Sequence, residues 1–109
     1  MARIPVLKKR REFLEVRDKG DSAAGAGIVL QVLKSKNSGV RVGYTVTAKV
    51  GNAVERNRIK RRMRAVAAEI LPTIAGNYDF VLIGRRGALK IPFAKLLNDL
   101  QKLVKRLLP

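Results

Sequence analysis

The stretch Lys49-Val50-Gly51-Asn52-Ala53-Val54-Glu55-Arg56-Asn57-Arg58-Ile59-Lys60-Arg61-Arg62-Met63-Arg64 decides how this chain is read. Gly51 and Asn52 break the strand-like alternation before them. Asn52 and Glu55 then stand at the spacing of a capping box, in which each side chain satisfies a backbone amide that the helix leaves open. Ile59, Met63, Val66 and Ile70 recur at helical spacing as a buried stripe, and Pro72 stops the helix near Leu71. At about 100° per residue from Ile59, Met63, Val66 and Ile70 fall within about 40°, while Asn57, Arg58, Lys60, Arg61, Arg62 and Arg64 sweep the other side. Arg56 lies near the border, at roughly 60°, and is expected to turn into a groove beside the sheet.

A merely solvated helix face mixes signs and sets Glu ahead of Lys or Arg for support along the helix. Here Glu55 alone opposes the six cations from Arg56 to Arg64. Several of them occupy the first turns, where the helix dipole disfavours positive charge. Stability does not explain that arrangement; a polyanion does. Planar guanidinium groups clamp phosphates or stack on bases, and Asn57 can both donate and accept toward a base or a 2′-hydroxyl. A DNA-reading helix normally comes in a helix-turn-helix or zipper setting, and neither is visible, so RNA is the expected partner over DNA, which this reasoning alone leaves open.

Working outward, Val40-Arg41-Val42-Gly43-Tyr44-Thr45-Val46-Thr47 alternates between an apolar and a more polar face, as a half-buried strand does. Ile28 to Leu33 is β-branched and bounded by turn residues, and Lys34 to Gly39 reads as a hairpin loop between these two strands. A helix is expected over residues 11–19 with Gly20 as its stop, and an extra strand is possible in the region 20–39. Tyr78 to Ile83 is a further strand. Beyond Pro92, residues Phe93, Leu96, Leu97, Leu100, Val104 and Leu107 form the apolar face of a last helix, with Phe93, like Tyr44 and Phe80, assigned to the core. The expected fold is an α+β two-layer sandwich in which an antiparallel pair is extended by the strand after the basic helix.

Composition sets the outer limits. The chain has 109 residues, 24 Lys plus Arg against 8 Asp plus Glu, a formal charge of +16, and neither His nor Cys. One RNA-binding domain over residues 1–109 is expected, with residues 1–10 as a flexible basic arm. Without His or Cys there is no imidazole base, thiolate metal site or redox motif. The scattered acids form no evident cluster for two-metal nuclease chemistry. No apolar run suits a signal or a membrane span, so a cytoplasmic protein is expected.

The run Gly51-Asn52-Ala53-Val54-x-Arg56-Asn57-Arg58-x-Lys60-Arg61-x-x-Arg64, preceded by Arg41-Val42-Gly43-Tyr44-Thr45-Val46, closely resembles the Arg-Asn-Arg signature of the bacterial ribonuclease P protein subunit. Leu7-Lys8-Lys9-Arg10-Arg11-Glu12-Phe13 is similar to that family's N-terminal segment, and Asp79 to Arg85 to its later strand. The resemblance implies a small central mixed sheet with an N-terminal helix, a basic crossover helix of left-handed βαβ type and a C-terminal helix. It also implies a protein partner of a catalytic RNA, one protein per RNA, in a ribonucleoprotein that removes the 5′ leader of precursor tRNA. The RNA holds the active site and the Mg²⁺, and the protein alone is inactive. Carried over by position, Lys49, Arg58, Lys60, Arg61, Arg62 and Arg64 contact the RNA subunit. Arg56 and Asn57 border a cleft where Phe13 stacks on the single-stranded leader, flanked by Arg17 and Gln31. Many relatives carry a second aromatic where this chain has Arg17, and some carry one where it has Gln31, which shifts leader binding toward charge and hydrogen bonds. The alternative in the same charge class is a ribosomal protein with a similar domain.

Overall fold

The computed structural model describes residues 4–109. Its elements are α1 (Arg10–Lys19), β1 (Asp21–Ala24), β2 (Ile28–Lys34), β3 (Val40–Thr45), α2 (Ala53–Ile70), β4 (Tyr78–Gly84) and α3 (Phe93–Leu107). Short 3-10 turns lie at Ala48–Val50, Leu71–Thr73 and Arg86–Leu89. The capping box forms as its spacing predicts: Asn52 Oδ1 accepts from the Glu55 amide at 2.9 Å and Glu55 Oε1 from the Asn52 amide at 3.0 Å.

The four strands form one mixed sheet in the order β1-β2-β4-β3. β4 runs antiparallel to β2 and parallel to β3, so α2 is the crossover of a parallel β3-α2-β4 unit. The segment Lys34 to Gly39 is therefore not a hairpin loop, because β4 lies between the two strands it was expected to pair. The reason is visible in β4 itself. Phe80, Val81 and Leu82 are buried in succession, the near-continuous apolar run of a strand covered on both faces, and that strand takes the centre. The possible extra strand is β1, paired antiparallel with β2 from Asp21↔Val32 to Ala24↔Val29.

Strand alternation divides the core between the two faces. Ile28, Leu30, Val32, Val42, Phe80 and Leu82 join Ile59, Met63, Val66 and Ile70 of α2 and Leu96, Leu100, Leu103 and Val104 of α3 in the main core. On the other face Val81, Leu7 and Val16 form a smaller cluster, with Phe13, Leu33 and Ile83 packed at its border. α1 thus covers only part of that second face. Phe93 departs from its predicted core role: it is 41% exposed and belongs to neither cluster.

Residues 1–3 of the expected arm lie outside the described residues. The rest is not a free arm. Val6 makes a parallel bridge with Val42, the Leu7 amide donates to the Val42 carbonyl at 2.9 Å, and Leu7 is buried. An edge strand leaves a row of unpaired backbone groups, and this segment satisfies some of those on β3. Gly20 ends α1 with φ −88, an ordinary extended angle. It is required sterically, since a Cβ there would collide with the backbone carbonyl oxygens of Val32 and Val16.

Candidate RNA interface

α2 presents its cations as the sequence periodicity predicts, with two exceptions. Arg58, Arg61 and Arg64 are exposed, as are Asn57 and Lys49, and Lys60 is half-buried. Among the described residues no carboxylate pairs with any cation of α2. Arg64 lies over the Tyr44 ring with its Cζ 5.5 Å from the centroid, a cation–π contact that fixes its stem and leaves the face of the helix outside. Burial raises the Tyr44 phenol pKa, against the lowering effect of Arg64.

Arg62 is the first exception. Its guanidinium donates to the carbonyls of Leu89, at 3.1 Å, and Ile91. Charged donors on otherwise open turn carbonyls make the stronger class of hydrogen bond, and Arg62 thereby ties α2 to the turn that leads into α3. The RNA contact that the family resemblance implies for Arg62 does not take account of these carbonyls, and its helical angle reports a direction and not what fills it. The second exception is Arg56, expected to enter a groove beside the sheet. Its Nη1 instead donates to the Gly51 carbonyl at 2.6 Å, closing the N-terminal turn of its own helix. Arg85 and Arg86 behave similarly, donating to the Gly25 carbonyl at 3.0 Å and the Val50 carbonyl at 3.1 Å.

Beside α1 on the second face of the sheet is an open groove of about 440 Å³. Phe13 and Arg17 from α1, Gln31 from β2 and Val81 and Ile83 from β4 line it, with Lys8 and Arg10 at the rim. The structure thus gathers three of the predicted leader-cleft residues, Phe13, Arg17 and Gln31. It does not gather Arg56 or Asn57, which are on α2 outside the lining. An apolar floor, the two half-buried aromatics Phe13 and Tyr44 and several cations suit a single-stranded nucleic acid, whose bases stack and whose phosphates need counter-charge. A cleft of about 550 Å³ on the other side of α1 mixes Glu12, Glu15 and Asp79 with its cations and is less suited to a polyanion.

The position of α1 is set by residues that the sequence reading did not single out. Arg41 on β3 uses three nitrogens: Nε and Nη2 bind the two oxygens of Asp79 at 2.9 and 2.8 Å, and Nη1 binds Glu12 Oε2 at 2.8 Å. The other Glu12 oxygen accepts the amides of Lys8 and Lys9 at 3.1 and 2.9 Å. Those two amides hold the Glu12 carboxyl below its ordinary pKa, aided by Arg41, and the hydrogen bonds to Asp79 raise the Arg41 pKa. A carboxylate with a lowered folded-state pKa stabilises the fold above its unfolded pKa and ceases to as pH falls through the folded value. The stability advantage of the native chain over Glu12→Gln should therefore fade below about pH 4.5, the ordinary glutamate value. Denaturant titrations of both proteins across pH 3 to 7 check this; a constant difference would refute it. One step along α1, the Phe13 ring lies against Gly43: a Cβ on Gly43 would collide with Cε2 of the ring and come within 2.6 Å of Cζ. The sequence signal for the ion network was an Arg and an Asp, Arg41 and Asp79, on strands whose alternation points both to the α1 face.

Comparison with known proteins follows the same lines. The family model described as Ribonuclease P matches residues 1–108. The ribonuclease P protein component of Gluconacetobacter diazotrophicus is 45% identical, over 92% of this chain and 88% of its own length. That of Paramagnetospirillum magneticum is 40% identical, over 96% and 84%. Among solved structures, the RNase P protein of Thermotoga maritima superposes with a TM-score of 0.82 at 28% identity, over 98% of this chain and 100% of that one. The RNase P protein of Staphylococcus aureus gives 0.80 at 28%, over 95% of each.

Proposed function

The chain belongs to the ribonuclease P protein family, and from that premise we propose how its two surfaces divide the work. As a member it is the protein component of an RNA-based endoribonuclease that processes precursor tRNA, and the RNA of that enzyme is its partner. The exposed face of α2, with Arg58, Lys60, Arg61 and Arg64 and with Lys49 at its approach, docks on that RNA. The groove beside α1 takes the single-stranded 5′ leader of precursor tRNA. Phe13 stacks on a leader base, Arg17 neutralises phosphate, and Gln31 offers an amide to a base edge.

The observation that carries this division is the unpaired state of α2: Arg58, Arg61 and Arg64 are exposed with no carboxylate among the described residues to neutralise them. That is costly for a free protein of charge +16 and is relieved by phosphate. Arg62 and Arg56 act within the protein, so they hold the interface in shape and do not extend it. We place the Mg²⁺ of the reaction on the RNA. That placement is what the family resemblance implies. Among the described residues no helix is long and apolar enough to cross a membrane.

Reconstitution tests the reading. Protein alone in Mg²⁺ buffer should leave precursor tRNA intact. Addition of ribonuclease P RNA should give efficient cleavage at the mature 5′ end. Turnover by protein purified free of RNA would overturn it. Recovery of ribosomal RNA, and not ribonuclease P RNA, from the protein isolated in cells would favour the ribosomal alternative.

A further inference from the structure

We propose that the chain Asp79–Arg41–Glu12 is a positioning device for the leader groove, and that Arg41 and Glu12 set leader affinity without touching the leader. The inference rests on the groove being the leader site. α1 covers only part of its sheet face, resting on Val16 and Leu7 as its fully buried contacts. A ten-residue helix with so small an apolar footprint is not held in one place by burial alone, since short helices are marginal without strong tertiary contacts. What registers it is directional. Asp79 is a buried carboxylate on the central strand and orients the Arg41 fork through two bonds. The remaining nitrogen holds Glu12, and Glu12 holds the first amides at the start of α1. The helix N-terminus is thus anchored to the middle of the sheet by five hydrogen bonds in series.

The residue after Glu12 is Phe13. Its ring lies against the sheet only because Gly43 has no side chain, and the next β3 residue on that face is Thr45 at the groove. Glu12 and the Phe13 ring therefore hold two neighbouring points of α1 against β3, at Arg41 and at Gly43. The two contacts together determine how far Phe13 and Arg17 stand from Gln31 across the groove. A stacking platform must be held within a fraction of an ångström to gain its full contribution, and the other aromatic of the groove, Tyr44, is already engaged by the main core and by Arg64.

Charge makes the test decisive. Glu12→Gln removes a negative charge from an RNA-binding protein, so a purely electrostatic account predicts equal or tighter binding of any RNA. The positioning account predicts the reverse for one ligand only. The measurement is the affinity of the reconstituted holoenzyme for precursor tRNA bearing a leader and for mature tRNA, with single-turnover cleavage at saturation. Glu12→Gln should weaken precursor binding by about three- to tenfold, a fraction of the effect of removing a stacking ring. Mature tRNA affinity and the saturated cleavage rate should stay as they were. Arg41→Lys keeps the charge and loses the fork, and should do the same. Glu15→Gln, on an exposed carboxylate of the same helix paired only with Lys19 at 3.9 Å, should leave precursor affinity equal or slightly improved. Circular dichroism establishes that each variant is folded, and either Glu12→Gln or Arg41→Lys suffices.

Precursor binding by both folded variants at the native level or tighter overturns the proposal, as does equal weakening for precursor and mature tRNA. Phe13→Ala separates the two levels. If it too spares precursor affinity, the groove is not the leader site. If it weakens precursor binding while Glu12→Gln and Arg41→Lys do not, the leader site stands and the positioning role falls.

Discussion

Replacing Arg58, Arg61 and Arg64 together by alanine should weaken binding of ribonuclease P RNA by at least about 100-fold near physiological salt, since charge-assisted hydrogen bonds contribute about 1.5–3 kcal/mol each. All three side chains are exposed and none is paired with an acid among the described residues. The salt dependence is the more specific readout. Each phosphate that the protein no longer neutralises makes the slope of log affinity against log salt shallower by about 0.7–0.9, so the triple variant should reduce the slope by roughly 2 to 3. An unchanged slope would show that these side chains are only solvated. Arg62→Ala provides the contrast, because its guanidinium serves the carbonyls of Leu89 and Ile91. It should cost about 1–3 kcal/mol of folding stability by leaving those carbonyls without their donor and should leave the salt slope nearly intact.

Phe13→Ala is expected to reduce affinity for leader-bearing precursor by about 1–3 kcal/mol, or roughly 5- to 150-fold, the range for removal of an aromatic stacking platform. Affinity for mature tRNA should not change. The magnitude is expected at the upper end because Phe13 is the one aromatic side chain of α1, and Tyr44, the other aromatic lining the groove, is engaged by the main core and Arg64. Phe13 also borders the smaller core cluster, so a drop in stability is expected alongside. The precursor-to-mature ratio separates the two effects: a folding defect lowers both affinities equally, whereas the absence of stacking lowers one. Equal weakening would remove Phe13 from the leader site.

The basic helix was legible residue by residue. Its cap, its buried stripe and its outward cations follow from the helical repeat, and the structure reproduces them at Asn52, Ile59, Met63, Val66 and Ile70. The groove was legible in part. Phe13, Arg17 and Gln31 meet there, although they come from different elements, and only the family resemblance brought them together in advance. The readings that failed share a physical origin. The RNA contact of Arg62 and the cleft position of Arg56 follow from the family resemblance, with helical angle giving a direction, and neither carries information about the carbonyls of Leu89, Ile91 and Gly51 that the two guanidinium groups meet. Phe93 has the right spacing with Leu96, Leu97 and Leu100, but as the first residue of α3 it is exposed and belongs to neither core cluster. The hairpin between β2 and β3 was inferred from adjacency in sequence, whereas β4, apolar on both faces, takes the place between them.

By itself, the sequence determined that this protein has one strongly cationic helix with a core-facing stripe, flanked by strands of alternating character, and that its partner is a polyanion. Periodicity and charge are local, and local information is enough for both. Tertiary structure decided which strand lies in the middle of the sheet, which arginines are free and which are bound to the protein's own carbonyls, and where α1 stands over the groove. Each of these depends on contacts between residues far apart in the chain, such as Arg41 with Asp79 and Glu12, or Phe13 with Gly43. Their geometry exists only once the sheet has brought the partners within hydrogen-bonding or packing distance.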